Sequence, residues 1–278
     1  MSQDAMRLKA QINHYAKQHA IAAQTVLQNF MFERFLERVS LSKYKNHFVI
    51  KGGVLIATLV GLDNRSTMDL DTTVLNFPLN QENILTMVEE ICQIDIKDGV
   101  IFRAFTFDEI RGQDVYGGWR IKFHALYDNI DTPLSIDITT GDKITPAPME
   151  YAFPCLFDAK KAITLLGYNI ETILAEKVET ILVRGELNTR PRDFYDVYIL
   201  TTSKGYNKTA FLEALKKTAK HRGSANKLTD ISGILSSIQS SSSLKNQWKK
   251  YQHSFPYARH INYDMLVWCL NKLFEIKK

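Results

Sequence analysis

The sequence predicts an α/β (α+β) fold, with a small mixed sheet and flanking helices followed by a helical C-terminal domain. Two patterns indicate this. Between residues 94 and 140, apolar and polar residues alternate with a period of two, which is typical of half-buried strands. After about residue 160, apolar residues recur every three or four positions, which is typical of amphipathic helices. The break lies near 155–170, so we expect one domain over residues 1–160 and a second over 161–278.

The N-terminal elements follow in order. Residues 5–39 predict two helices, because apolar residues recur there at helical spacing. The segment HFVIKGG predicts a short buried strand that ends in a glycine turn, and VLIATLVG predicts a short helix that ends at Gly61. MDLDTTVLNF predicts a second strand, and NQENILTMVEEIC predicts a helix capped by Asn80.

Three further strands and a series of helices complete the prediction. The segments VIFRAFTF, WRIKFHALY and PLSIDITT have the period of strands. The predicted helices span residues 169–184, 193–202, 208–221, 227–239, 243–253 and 262–276. The serine run 240–243 predicts a loop between two of them.

Composition excludes several classes of protein. No stretch of about 18 uninterrupted apolar residues could span a membrane. The N-terminal residues carry charges where a signal peptide needs its apolar region. The three cysteines, Cys92, Cys155 and Cys269, are isolated and odd in number, which fits reduced thiols rather than a disulfide framework. We therefore expect a cytoplasmic protein that does not enter the membrane.

Charge divides the chain into two unlike halves. Residues 1–160 carry 16 Lys and Arg against 20 Asp and Glu, a balance of −4. Residues 161–278 carry 19 against 10, a balance of +9. This asymmetry suggests a metal-binding or catalytic module joined to a module that meets a polyanion. Ordinary solubilising lysines on helices are the alternative.

Two aspartates one residue apart form the first candidate site. On the strand MDLDTTV, Asp69 and Asp71 point to the same side, about 7 Å apart. Their repulsion requires a neutralising group, and Mg²⁺ takes carboxylate oxygens together with substrate phosphates. A third acid, Asp137, lies between two isoleucines of an apolar strand and could reach the same ion. Alternatively, the pair lies on an exposed edge and Asp137 faces water.

The glycine turn at Gly52 and Gly53 lies between a strand and the start of a helix. Without side chains, the backbone N–H groups there can approach phosphate oxygens closely. Glycine pairs are common in turns, so the turn alone indicates little.

A lysine on an apolar helix face forms the second candidate site. Lys177 lies on the stripe that runs from Ile170 to Leu182, so it must either extend to solvent or meet an anion. The next helix carries Asp193 and Asp196 on one face, and an inward acid there would hold the ammonium in place. Asp196 could instead be a capping residue or pair with Arg190 or Arg192.

These segments resemble a known family. The run FVIKGGVLIATLVGLDNRSTMDLDTTV is similar to the polymerase β-like nucleotidyltransferases and, more narrowly, to the AbiEii/AbiGii toxins of bacterial abortive-infection and type IV toxin–antitoxin systems. The motifs are K-G-G, then R-x-[ST]-x-D-x-D, then A-E-K-x-x-x-I-x-x-R followed by R-x-R-D-x-x-D. The resemblance covers roughly residues 45–200. Gly53 departs from the wider superfamily, where Ser is common, and the interval to Asp69 is long.

The resemblance implies a nucleotidyltransferase fold and an active site that the second domain completes. Asp69, Asp71 and Asp137 would hold Mg²⁺ (or Mn²⁺), with Asp137 on the second ion or accepting the proton of the attacking hydroxyl. Lys177 would offset charge on the triphosphate, and Asp193 would orient the Lys177 side chain. The remaining nucleotide-binding candidates are Gly52, Gly53, Arg65 and Thr67, with Lys51 as a helper.

The implied function is that of a toxin that transfers a nucleoside monophosphate from an NTP, with GTP mildly favoured, to RNA, the 3′ end of tRNA being the specific prediction. A cognate antitoxin is implied.

Residues 203–278 carry 14 Lys and Arg against 4 Asp and Glu, and possible stacking faces are Trp248, Tyr251, Tyr257 and Tyr263. Two alternatives stay open: a nucleotidyltransferase that modifies a protein or small molecule, and an NTP-binding module that transfers nothing.

Overall fold

The computed structural model describes residues 2–78, 80–110 and 117–275. The helices in these residues are α1 (Gln3–His19), α2 (Ala23–Leu41), α3 (Gly52–Val60), α4 (Gln81–Cys92), α5 (Ile170–Arg184), α6 (Pro191–Ser203), α7 (Lys208–His221), α8 (Ile231–Ser240), α9 (Ser242–Ser254) and α10 (Tyr263–Leu273). The strands are β1 (Phe48–Lys51), β2 (Leu70–Val74), β3 (Val100–Ile110), β4 (Gly118–Tyr127), β5 (Ile130–Thr140), β6 (Met149–Pro154) and β7 (Ala162–Gly167). The chain divides into two compact units, one of residues 1–142 and 148–168 and one of residues 143–147 and 169–278.

The strands form one mixed sheet in the order β3-β4-β5-β2-β1-β7-β6. Strand β1 runs parallel to β7, and β2 runs parallel to β5, while the remaining pairs are antiparallel. The predicted fold class is therefore confirmed. Strands β6 and β7 were not predicted from the sequence. In β6, which lies at the edge of the sheet, only one residue is fully buried, so the alternation that marks a half-buried strand is weak.

The core of the first unit lies between α2 and one face of the sheet. Phe35 of α2 contacts the rings of Phe48 on β1, Phe102 on β3 and Phe123 on β4, with ring centroids 5.8–6.4 Å apart. All four rings are at most 7% exposed. Because side chains alternate along each strand, burying this face leaves the polar residues on the opposite face.

The second unit is helical, as predicted. Helix α5 is preceded by Asn169, whose side chain accepts a hydrogen bond from the backbone N–H of Thr172 (2.8 Å), and is followed by the capping residue Gly185. The predicted loop 240–243 is much shorter than expected. Helix α8 ends at Ser240 and α9 begins at Ser242, because the Ser241 hydroxyl caps α9 by accepting from the N–H of Leu244.

None of the helices in the described residues combines the length and the hydropathy needed to cross a membrane. The three cysteines are free thiols. Burial raises the pKa of each thiol, to about 11 for Cys155, so all three stay protonated at neutral pH.

Candidate active site

A row of charged side chains crosses the open face of the sheet. In the strand register Lys51 lies opposite Asp71, Asp71 opposite Asp137, Asp137 opposite Arg120, and Arg120 opposite Asp108. Residues opposite each other on neighbouring strands share a face, so these five side chains, here called the charge row, lie on the same side. The sequence could not show this row, since it depends on which strands are neighbours.

The paired aspartates lie where strand alternation places them. Asp71 is on β2 and half-buried, whereas Asp69 directly precedes β2 and is exposed. Leu70 between them is fully buried in the core. The two carboxylates therefore lie on the open side of the sheet, and Asp71 is next to Asp137 of the parallel strand β5.

Asp137 is already engaged by a cation of the protein. The Arg120 guanidinium donates from Nε to Oδ1 and from Nη2 to Oδ2 of Asp137, both at 2.7 Å. In the described residues no group of three or more His, Cys, Asp or Glu side chains is arranged to hold a metal ion. The three predicted ligands, Asp69, Asp71 and Asp137, thus share a face but do not form a single ligand set. That Asp137 pairs with Arg120 was missed, because Arg120 is distant in sequence.

The glycine turn brings bare backbone against Asp71. Gly52 has φ +63°, and a Cβ atom built on it would lie 2.0 Å from Oδ2 of Asp71. A Cβ atom on Gly53 would lie 2.4 Å from Oγ1 of Thr67. Helix α3 begins at Gly52, so its first N–H groups have no partner within the helix and can bind an anion.

Arg65 and Thr67 lie next to Gly53, in the interior of the protein rather than at its surface. Both are buried, with 2% and 4% exposure. The Arg65 guanidinium donates to the carbonyl of Ser66 (2.7 Å), and the Thr67 hydroxyl donates to the carbonyl of Asp69 (3.2 Å). These contacts support the loop that carries Asp69, while nucleotide binding by either residue stays a prediction.

Replacing Gly52 with Ala tests the close approach of the turn. The substitution adds the strain of a positive φ, about 1–2 kcal/mol, and pushes a methyl group into the Asp71 carboxylate. We expect nucleotidyl transfer to fall on the order of a hundredfold as Asp71 is displaced. Gly185→Ala is the matched control, because Gly185 has φ +49° but no atom within 4 Å of its added Cβ. Equal losses in both variants would show that only backbone strain matters; pyrophosphate release and thermal unfolding measure the two effects.

Lys51 is held at the start of the turn by a buried carboxylate. Its ammonium donates to Oδ2 of Asp142 (2.5 Å) and to the hydroxyl of Thr139 (2.7 Å), and Tyr168 donates its hydroxyl to the same Asp142 oxygen (2.7 Å). Burial raises the pKa of Asp142, but the charge of Lys51 and these hydrogen bonds outweigh it and lower the pKa to about 2. Lys51 is thus fixed beside Gly52.

The pKa of Asp142 predicts a pH-dependent contribution to stability. Because the folded pKa, about 2, lies below the ordinary value of 3.8, the contribution is complete above about pH 4 and is lost as pH falls towards 2. Urea unfolding should show Asp142→Asn less stable than the intact protein by roughly 2 kcal/mol at pH 6, with a smaller difference at pH 2.5. A difference that does not change with pH would contradict the assignment.

The second unit contains a separate cluster around Lys177. Its ammonium lies 2.7 Å from Oδ1 of Asp193 and 3.0 Å from Oδ2 of Asp196. The two carboxylates are 2% and 0% exposed and lie three residues apart on α6, so both face α5. Arg190, which is 53% exposed, pairs with Oδ2 of Asp193 at 3.0 Å. Lys177 therefore meets an inward acid, as the helix pattern predicts, and its partners are both Asp193 and Asp196.

The aromatic residues expected to offer stacking faces are mostly structural. Trp248, Tyr251 and Tyr263 are at most 9% exposed, and Tyr257 is half-buried. The Trp248 indole donates to the carbonyl of Ile261 (2.8 Å). The exposed tryptophan is Trp268, 58% exposed, with the Lys272 ammonium 4.9 Å from its ring.

Asp69 and Asp71 fit a hard divalent cation. Both are carboxylates on the open side of the sheet, and the missing Cβ of Gly52 lets the Asp71 carboxylate lie directly against the start of α3. Asp137 lies next to Asp71 and is bonded to Arg120.

Three features together define a nucleotidyltransferase. They are a glycine turn at the start of a short helix, a D-x-D pair at the next strand, and a third Asp on a neighbouring parallel strand. The chain belongs to the family described as nucleotidyl transferase AbiEii toxin of type IV toxin–antitoxin systems, which matches residues 34–269. The protein is therefore a toxin nucleotidyltransferase. Enzymes of this kind use an NTP and a divalent metal ion, and a type IV system implies an antitoxin partner.

Two solved structures from Helicobacter pylori share the fold. One, described as a candidate nucleotidyltransferase, is 16% identical and has a TM-score of 0.52, covering 93% of this chain and 100% of its own. The other, JHP933, is 17% identical with a TM-score of 0.51, covering 91% of this chain and 95% of its own. No curated protein matches the sequence.

Proposed function

We propose that the protein transfers a nucleoside monophosphate from an NTP, with GTP favoured, to the 3′ end of tRNA in a Mg²⁺-dependent reaction. The observation that carries this proposal is the placement of Asp71 beside the Gly52 turn and next to Asp137. Carboxylates and the first backbone N–H groups of a helix at one place are suited to a metal-bound triphosphate. Transfer to tRNA would block translation and growth, as a toxin must.

The chemistry assigned to each residue follows from its contacts. Asp69 and Asp71 would hold the divalent ion, which offsets charge on the triphosphate and polarises the reacting phosphate. The N–H groups of Gly52 and Gly53 bind phosphate oxygens. The acceptor hydroxyl oxygen bonds to the α-phosphorus as its proton passes to Asp137, and the bond from that phosphorus to the bridging oxygen breaks, releasing pyrophosphate.

Lys177 and Asp193 have the roles that the family motif implies. The ammonium of Lys177 neutralises charge on the triphosphate as pyrophosphate leaves. The buried carboxylates of Asp193 and Asp196 hold that ammonium in one orientation. A lysine fixed by two buried acids loses little conformational freedom when it binds phosphate, which favours this role over that of a surface lysine.

The basic surface of the second unit supports a polyanionic acceptor. The exposed basic residues of residues 203–275 are Lys204, Lys216, Lys217, Lys220, Lys227, Lys249, Lys250, Arg259 and Lys272. Such side chains bind phosphates independently of sequence and less tightly at high salt. They favour RNA over an aminoglycoside, which is itself cationic.

Incubation with total bacterial tRNA, Mg²⁺ and each labelled NTP in turn tests the proposal. Label should enter tRNA with one preferred nucleotide, and the Asp69→Ala and Lys177→Ala variants should lose this activity. Labelled protein in place of tRNA would show a protein acceptor. Binding of NTP without pyrophosphate release would show a module that transfers nothing, and either result would overturn the tRNA assignment.

A further inference from the structure

Arg120 occupies a distinct position in the charge row. It lies on β4, opposite Asp137 of β5, and its guanidinium engages both oxygens of that carboxylate at 2.7 Å. Two parallel N–H donors on one carboxylate form the strongest kind of ion pair in proteins. This pair therefore competes with any other cation for Asp137.

The remaining carboxylates of the site also act on Arg120. Asp71 lies next to Asp137 in the strand register, and Asp69 directly precedes the strand of Asp71, so the negative charges of all three carboxylates lie near Arg120. Its guanidinium thus partly neutralises all three candidate metal ligands. A cation in this position weakens the attraction of the site for a second cation.

Arg120 can nevertheless leave its partner. Its side chain is 49% exposed, whereas that of Asp137 is 19% exposed. An exposed arginine side chain can adopt other rotamers at small cost, while the carboxylate stays on the sheet. Another cation can therefore replace Arg120 at Asp137, because the Arg120 side chain can move while Asp137 stays in place on the sheet.

We propose that Arg120 is a positioning residue that competes with the divalent ion for Asp137 and so sets the divalent-ion affinity of the site. The inference rests on the proposed function, in which Asp69 and Asp71 hold that ion and Asp137 lies next to Asp71. When the ion takes Asp137, the released guanidinium stays on the open face of the sheet, where it can meet the incoming polyphosphate.

The test measures Mn²⁺ binding by calorimetry without nucleotide, at low salt. Arg120→Gln removes the competing charge, and we expect it to bind Mn²⁺ more tightly than the intact protein, on the order of tenfold. Arg120→Lys keeps the charge and should stay within about twofold of the intact protein. Lys122→Gln is the matched control, because Lys122 lies two residues away on the same face and pairs with Asp108 instead (2.6 Å). It should bind Mn²⁺ as the intact protein does.

Mn²⁺ affinity in Arg120→Gln that equals or falls below that of the intact protein would overturn the inference. The Asp71→Asn variant separates this result from failure of the proposed function. If the intact protein binds Mn²⁺ and Asp71→Asn binds it equally well, the assigned ligands are wrong. If Asp71→Asn loses binding while Arg120→Gln is unchanged, only the role of Arg120 fails. Absence of binding by every variant would contradict both.

Discussion

Replacing Asp71 with Asn is expected to reduce nucleotidyl transfer on the order of a thousandfold or more while the protein stays folded. Asp71 lies in the charge row between Lys51 and Asp137 and against the bare Gly52 backbone. Asparagine has nearly the same shape but no charge, so it fits against Gly52 and no longer holds a divalent ion. Pyrophosphate release measures the activity, and thermal unfolding shows that the fold persists.

Asp108→Asn is the control for Asp71→Asn. Asp108 ends the same row, is 57% exposed and pairs with Lys122 at the surface. Removing its charge should alter transfer less than about twofold, since exposed ion pairs contribute little. Equal loss in the two variants would indicate that general charge on this face, not a ligand at Asp71, supports the reaction.

Replacing Lys177 with Met is expected to abolish transfer and also to lower the free energy of unfolding by about 3–5 kcal/mol. The ammonium is the cation shared by Asp193 and Asp196, which are 2% and 0% exposed. Without it two buried carboxylates face each other, and Arg190 contacts one of them. Urea unfolding measures the stability, and labelled NTP transfer measures the activity.

Two further variants separate these effects. The double variant Lys177→Met, Asp196→Asn also removes one of the two buried negative charges and should recover part of the stability but none of the activity. Lys217→Met removes a 52% exposed lysine that pairs with Glu213 on α7, and should change stability by less than about 0.5 kcal/mol. A Lys177→Met protein as stable as the Lys217→Met protein would show that the buried cluster is not held by this charge.

The sequence could predict elements with strong local patterns but not the pairing between them. The strand alternation that places Asp69 and Asp71 on one side and buries Leu70 between them is local, and the shared side of the two aspartates was predicted. Strand β6 was not, because an edge strand buries too few residues to show a period. The engagement of Asp137 by Arg120 depends on the register between β4 and β5, which the pattern of each strand alone does not determine.

The candidate site in the second unit was predicted more fully, since it depends on helix periodicity. Lys177 on an apolar stripe needed an anion, the next helix carried Asp193 and Asp196 on one face, and the family resemblance implied Asp193. The role of Asp196 was missed because its partner depends on how α5 and α6 cross. The Lys51–Asp142 pair was missed for a similar reason: residue 142 follows β5, two strands away from β1 in the sheet.

The sheet order also determines when during synthesis the carboxylate site can form. Strands β1 and β2 lie in the middle of the sheet, but their outer neighbours β5 and β7 come much later in the chain, and Asp71 pairs with Asp137. Such long-range pairs make folding slow and keep early strands unpaired until later ones emerge. A chain released from the ribosome before residue 137 therefore lacks the third carboxylate and the strand that holds Asp71 in register. The carboxylate site of the first unit can therefore form only when most of that unit has been made.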